Sequence, residues 1–399
     1  MCFSLATVIL LGSAQASTVI PFSSPENSYT ALMDYLDSLN QSIYLSGYTF
    51  TSLDIADKLI EAKNKGLDVK ILLEGGPVGG VSNFSKSILC GLYSNNISVS
   101  MYTGKLRFLH AKYMIGDSKS ALVSSENFGD GGYPKTGIGN RGWGALVFDF
   151  DISKKLSEIF FTDSRDSKEF VCDVNRANTA NTGNKKSNYP IYKNQEVELV
   201  SAPENAVSGV IDILNSAQKS IYIEQLYIDD WDGNKNPFLE AAINKARQGV
   251  EVKILLDSSD FSLEGEESNT KMVEYINGVA KYGINIEAKL IDLESLGFRE
   301  AHNKGIVIDN KKVFVSSVNW NENSPKNNRE IGLLITGDAA SYFSNLFLED
   351  WGGSRLATTG KIIAESQAQV FYIVIFIGAL CCVYYFAKHR PRKSKTFLS

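Results

Sequence analysis

Two stretches of the chain carry the same polar residues at the same spacing. The first reads His110-x-Lys112, four residues, Asp117, six residues, then Ser124-Ser125-x-Asn127; the second reads His302-x-Lys304, four residues, Asp309, six residues, then Ser316-Ser317-x-Asn319. The chain holds three histidines, and two of them head these strings. Each string offers an imidazole that titrates near neutral pH and can act as nucleophile, acid or base. It also offers an ammonium, a hydroxyl and a carboxamide, which can donate to oxygens that gain negative charge in a transition state. Such a set suits an anionic tetrahedral centre, above all a phosphate ester.

The local pattern explains how the groups converge. Residues 304–309 and 313–315 read as strands joined by a turn at Asn310-Lys311, a hairpin. Residues two apart on a strand share a face, so His302 and Lys304 point the same way, as do His110 and Lys112. Ser317 and Asn319 return to that face from the partner strand. Displacement at phosphorus needs an attacking group and a proton donor on opposite sides, which gives the duplication a chemical reason. A structural histidine in each hairpin is the plain alternative, but matching typed positions in two copies argue against it. A metal site fits poorly: each histidine has a lysine two residues on, and no Cys or His cluster completes a ligand set.

The pattern His-x-Lys-x4-Asp-x6-[Gly/Ser]-Ser-x-Asn, present twice, resembles the signature of the phospholipase D superfamily, and the likeness extends over about residues 27–352. The resemblance implies an α/β fold of two fused α/β/α lobes related by a pseudo-twofold axis, with one active site at the seam. The implied reaction needs no metal or other cofactor: one histidine attacks phosphorus to form a phosphohistidine, and the other protonates the leaving oxygen and then activates water or an alcohol. By similarity, His110 is the nucleophile and His302 the acid and base. Lys112, Lys304, Asn127 and Asn319 hold the phosphate, with Ser125 and Ser317 assisting. Asp117 and Asp309 complete the catalytic pattern and are expected to position the hairpins. Two departures stand out. Ser124 and Ser316 occupy places where glycine is usual. Asn328-Arg329-Glu330 follows the second string with a carboxylate resembling the family's histidine-orienting Glu, but the first copy reads Asn140-Arg141-Gly142. Glu330 is thus expected to support the His302 half, leaving one histidine without its usual partner or dependent on Asp130 or Glu126.

The elements around the strings repeat as well. Apolar spacing predicts helices over residues 29–39 and 52–62, the second capped by Ser52, and strands over 42–50 and 67–73, a parallel strand–helix–strand unit. Ser220-Ile221-Tyr222 then repeats Ser42-Ile43-Tyr44, and Val252 to Leu256 repeats Val69 to Leu73. Each copy closes on a strand pattern, residues 144–148 and 331–335, and a late Phe-x-x-Asp, Phe160 to Asp163 and Phe347 to Asp350. The result is one long duplication. Residues 17–27 read as a polar lead. The boundaries expected are a signal peptide over 1–16, lobes over 17–172 and 195–353 with a polar linker over 173–194, a stalk over 354–369, an apolar transmembrane helix over 370–387 and a basic cytoplasmic tail over 388–399. Cys90 and Cys172 are then the two exported cysteines outside the anchor and could pair in an oxidising compartment.

These readings describe a monomeric enzyme held by a C-terminal membrane anchor, with its catalytic part exported from the cell or organelle and acting on phospholipid or a related phosphodiester. A phosphatidyltransferase of cardiolipin synthase type and a nuclease are the enzymatic alternatives, and a non-catalytic surface binder is the reading from another class. The formal net charge of −5 argues mildly against a dedicated binder of long polyanions, and no run of basic residues interleaved with aromatics flanks either string.

Overall fold

The computed structural model describes residues 16–172, 189–265 and 268–353. Nearly all of the expected signal peptide, and the stalk, transmembrane helix and basic tail, lie outside the described residues. Among those described, no helix is long and apolar enough to cross a membrane.

The fold is mixed α/β. The first half supplies strands β1 (Ser17–Ser24), β2 (Ser42–Gly47), β3 (Asp68–Glu74), β4 (Ser98–Tyr102), β5 (Tyr113–Gly116), β6 (Ser120–Ser124), β7 (Gly139–Phe148) and β8 (Ser167–Glu169). The second supplies β9 (Tyr192–Ala202), β10 (Ser220–Gln225), β11 (Glu251–Leu256), β12 (Ile286–Leu290), β13 (Phe298–Ala301), β14 (Lys304–Ile308), β15 (Lys312–Ser316) and β16 (Glu330–Thr336). Their order is β12-β11-β10-β14-β15-β16-β9-β1-β7-β6-β5-β2-β3-β4-β8, with β13 beside β7. Read outward from the β9–β1 contact, the two halves run through corresponding strands in the same sequence.

Local chemistry accounts for the elements that aim the site. β2 and β3 are parallel and joined by a helix, Leu53–Asn64, whose first turn is capped when the Ser52 hydroxyl accepts from the Ile55 N–H. In the second half β10 and β11 are parallel around the helix Pro237–Arg247, capped by the Asn236 side chain with proline in its first turn. The two histidine strings form antiparallel hairpins, β5–β6 and β14–β15. Asp117 and Ser118, and Asp309 and Asn310, adopt positive φ in the turns, a conformation that short polar side chains tolerate best.

Among the described residues three large apolar cores result, with a small fourth cluster of Ile291, Leu296, Phe298 and Ala301. One lies between the first half's sheet and the helices Ser28–Ser38, Leu53–Asn64 and Asn83–Ser94, and a second does the same work in the other half. The third is common to both halves: Tyr113, Val123 and Trp143 pack with Val315, Ile331 and Leu333, and the helices Phe150–Ser164 and Ala340–Gly352 close its ends. Cys90 and Cys172 form a disulfide, with Cα atoms 5.4 Å apart.

Two expectations need correction. Residues 17–24 form no polar lead. They make β1, which pairs with β7 along its length and with β9 near its start, burying Val19 and Phe22. Pro21 is compatible with this interior place because β9 pairs only near Ser17 and Val19, so no ladder bond to β9 is required of Pro21. The sheets of the two halves are joined strand to strand through β1 and β9. Second, the last residues assigned to the linker, from Tyr192, already belong to β9; positions 173–188 lie outside the described residues.

Candidate active site

Each histidine sits just before the first strand of its hairpin, and each lead-in segment is pinned by both halves. β13 runs parallel to β7, pairing Ala301 with Arg141, and Leu109 forms the matching bridge with Arg329. The His110 N–H donates to the Arg329 carbonyl at 2.9 Å. Carboxylates at the ends of β3 and β11 hold the residue before each histidine: Glu74 accepts from the Leu109 N–H at 2.6 Å and Asp257 from the Ala301 N–H at 2.6 Å. Behind the lead-ins, two arginines tie the halves together. Arg141 pairs with Asp350 and Glu26 at 2.7 Å each, and Arg329 with Asp163 at 2.8 Å and Glu204 at 2.6 Å. The late Phe-x-x-Asp of each half thus clamps the Asn-Arg segment of the other.

Each imidazole faces a carboxylate across the seam. His110 Nδ1 lies 3.0 Å from both carboxylate oxygens of Glu330. Glu330 is itself fixed by the hydroxyls of Ser317 and Ser324, each at 2.6 Å, and by the Asn328 amide at 3.0 Å. His302 Nδ1 lies 3.3 Å from Glu126 Oε1. Glu126 accepts from the Asn140 amide at 3.2 Å and from the Ser125 hydroxyl at 3.4 Å. A carboxylate on Nδ1 keeps a proton there and leaves Nε2 as the reacting nitrogen, a nucleophile or base when unprotonated and an acid when it carries a second proton. The aromatic ring of Tyr48 meets His110 edge-on at 4.8 Å.

Both lysines are buried, and each donates from Nζ to the carbonyl of the histidine two residues before it, Lys304 at 2.7 Å. Burial holds Lys112 well below its ordinary range even though Glu330 opposes the shift, and it brings Lys304 down to about 8 against the pull of Glu126. Burial also takes His110 down to about 4, opposed by Glu330 and reinforced by Lys112 and Lys304. His110 is therefore neutral at neutral pH. The charge of Lys304 acting on His110, and of Glu330 on Lys112, places the groups of both halves in one electrostatic site.

His110, Lys112, His302 and Lys304 therefore come together, with Asn127 and Asn319 each presenting a buried, unpartnered amide oxygen. The other expected residues go elsewhere. Asp117 lies at the far end of its hairpin and accepts from the N–H groups of Asn40, Gln41 and Ser42 at 2.7–3.2 Å. Asp309 accepts from those of Gln218, Lys219 and Ser220 at 2.7–2.9 Å. Both clamp a hairpin to the start of its neighbouring strand and neither reaches the imidazoles, so they do not belong with the catalytic groups. Ser125 and Ser317, expected near the phosphate, are committed to the orienting carboxylates and to the N–H groups of Trp143 and Ile331. Glu330 serves His110, not the histidine of its own half. Sequence reading missed Glu74 and Asp257 altogether, although the repeated Val-Lys-Ile-Leu-Leu ends in an acid both times.

Two segments, residues 32–163 and 210–351, match the family described as "Cardiolipin synthase, PLD-like domain", and together they make up more than half of the chain. The chain belongs to the phospholipase D superfamily. Similar members of the superfamily include "Phospholipase D" of Rickettsia typhi, 31% identical over 36% of this chain and 63% of that protein. The "Cardiolipin synthase" of Clostridium perfringens is 25% identical over 78% of this chain and 66% of that protein. The chain thus spans about two thirds or less of the length of these curated relatives. The phosphatidylserine synthase of Haemophilus influenzae shares the fold, with a TM-score of 0.62 at 13% identity over 84% of this chain and 85% of that one.

Proposed function

We propose that the chain is a membrane-anchored, externally facing phosphodiesterase of phospholipase D type, acting on phospholipid or a related phosphodiester. The observation that carries this reading is the pair of imidazoles, each with Nδ1 against a buried carboxylate from the other half, beside two buried lysines. In the first step His110 Nε2 attacks phosphorus, a P–N bond forms and the P–O bond to the leaving alcohol breaks, while His302, entering the step as an imidazolium with a proton on each nitrogen, gives that oxygen its Nε2 proton. In the second step His302 takes a proton from water, the water oxygen bonds to phosphorus, and the P–N bond breaks to free His110. The neutral state of His110 at neutral pH supports its part as nucleophile. Lys112 and Lys304 stabilise the charge that builds on the phosphoryl oxygens, and Asn127 and Asn319 contact the same group. The two halves act as a pseudo-twofold pair within one monomer, and an exported catalytic part held by residues 370–387 works beside headgroups.

A lipid substrate is supported by a cavity of about 230 Å³ lined by Tyr48, whose ring also meets His110, and by Phe50, Leu73, Leu89 and Met101 among others, in which apolar atoms can be covered. Transfer to an alcohol in place of water is the second reading, favoured by the likeness to a cardiolipin synthase. A nuclease is the third. One assay separates them: phosphatidylcholine, with and without glycerol or phosphatidylglycerol as acceptor, against single-stranded and duplex DNA, all in EDTA. Release of choline without an acceptor product supports the phosphodiesterase. A new phospholipid that forms only with acceptor supports transfer, and cleavage of DNA alone sinks the lipid reading.

A further inference from the structure

The halves differ at one pair of positions, and the difference is compensated. Ser124 pairs with Gly144 and Ser316 with Gly332. Continuing those antiparallel registers by two residues sets Glu126 opposite Gly142 and Val318 opposite Glu330. The N–H of Ser125 bonding to the Trp143 carbonyl, and of Ser317 to that of Ile331, both at 3.0 Å, confirms the continuation. Directly opposed residues of an antiparallel pair project to the same side. A carboxylate aimed across the seam can therefore come from either strand. The second half places it on the strand of residue 330, and the first half on the strand of residue 126.

The space around Glu126 agrees. A Cβ at Gly142 would lie 2.2 Å from Glu126 Oε1 and 2.6 Å from its Cδ, and a Cβ at Gly132 would lie 2.5 Å from the Glu126 Cβ. The carboxylate occupies the volume that a side chain at 142 would fill, and two glycines leave room for it. Its supports also match those of Glu330. In each half the serine before the position donates to the carboxylate through its hydroxyl and accepts from the opposite strand's N–H, Trp143 at 3.1 Å and Ile331 at 3.1 Å.

We propose that Glu126 is the positioning residue of His302, doing from the opposite strand what a glutamate at position 142 would do, so that only one of the two positions can carry the acid. The proposal rests on the catalytic reading above for its consequence in rate but not for its structural test. The test uses the full-length chain in detergent, with 15N-labelled histidine and ring-nitrogen spectra assigned through His110→Ala and His302→Ala, together with thermal unfolding to verify folding. At a pH that keeps the imidazoles neutral, His302 of the wild type carries its single proton on Nδ1. Glu126→Val abolishes that preference and lowers phosphodiester turnover about 100-fold, and Gly142→Glu alone lowers Tm through the clash. Glu126→Val/Gly142→Glu, which copies the second half, restores the Nδ1 proton and returns turnover to within about tenfold of wild type. An unchanged His302 tautomer in Glu126→Val, or a folded double variant no better than Glu126→Val, overturns the proposal. A wild type inactive on every phosphodiester but showing these tautomers overturns the functional reading and leaves this one standing.

Discussion

His110 and His302 occupy matching places in the two halves, yet they are held unequally. His110 faces both oxygens of Glu330 at 3.0 Å, and three groups, the hydroxyls of Ser317 and Ser324 and the amide of Asn328, hold that carboxylate. His302 meets a single oxygen of Glu126 at 3.3 Å, from a residue whose supports are longer. The tighter grip suits an imidazole that must present Nε2 to phosphorus along one line. The looser grip suits one that exchanges a proton first with a leaving alcohol and then with water. A duplicated fold thus supplies two similar groups, and in the proposed reaction small changes in their carboxylates would let each take a separate task.

The sharpest way to test this difference is to remove each imidazole in turn. His110→Ala and His302→Ala each lower steady-state turnover of a phospholipid by about 10⁴-fold. A p-nitrophenyl ester, whose leaving group needs no proton, tells them apart. His302→Ala still gives a rapid burst of p-nitrophenol, at most one equivalent, and a phosphorylated His110 found by mass spectrometry. His110→Ala gives no burst. A burst from His110→Ala and none from His302→Ala would reverse the assigned order.

The two arginine clamps offer a second comparison. Arg141 lies among Asp350, Glu26 and the buried Glu224, whereas Arg329 faces Asp163 and a Glu204 that is half exposed. Removing one partner of a buried pair leaves an uncompensated charge, which costs about 3–5 kcal/mol. Arg141→Met is expected at the upper end of that range in urea unfolding and Arg329→Met at the lower end. Equal losses would show that Glu224 adds nothing to the first clamp.

A smaller effect follows from Lys304. Its ammonium has an ordinary value of 10.5 and is brought to about 8 chiefly by burial. A lowered value means that the cation is lost as pH rises through about 8, so turnover falls on the alkaline side by about tenfold per pH unit beyond it. Lys304→Arg, which stays charged throughout, moves that fall to higher pH even where it lowers the maximum. An alkaline limb unchanged in Lys304→Arg assigns the limb to another group.

Much of this site was legible in the chain. The repeated strings name the imidazoles, lysines and amides, and the alternation of a strand explains why His302 and Lys304 share a face. What eluded the sequence are contacts across the seam. Glu330 stands 28 residues after His302 in the chain, but its partner is His110, 220 residues away. Only the interleaving of β13 with β7 and of Leu109 with Arg329 makes that pairing geometrically natural. β1 was illegible for another reason. Four serines or threonines and a proline do not resemble a buried strand, and residues 17–24 become one because strands from both halves close around them. Ser125 and Ser317 donate to carboxylates, a role that residue type alone cannot separate from phosphate binding.

The smallest predicted effects fall where the halves agree. Asp117 and Asp309 each sit at positive φ in a hairpin turn and each gather three consecutive N–H groups at the start of the adjoining strand. Neither touches an imidazole, so exchanging the carboxylate for an amide weakens acceptance from those donors without altering the chemistry. Asp117→Asn and Asp309→Asn should each cost about 1–2 kcal/mol in chemical unfolding, by similar amounts, with turnover per folded molecule unchanged. For Asp309, burial raises the carboxyl's pKa but the three N–H donors outweigh it and hold the value below the ordinary 3.8. That stabilisation is therefore complete above 3.8 and is lost as the pH falls through the lowered value, so the difference between wild type and Asp309→Asn should shrink on acidification below 3.8. A large loss of turnover in either folded variant would instead place that aspartate in the chemistry, where hairpin geometry gives it no reach.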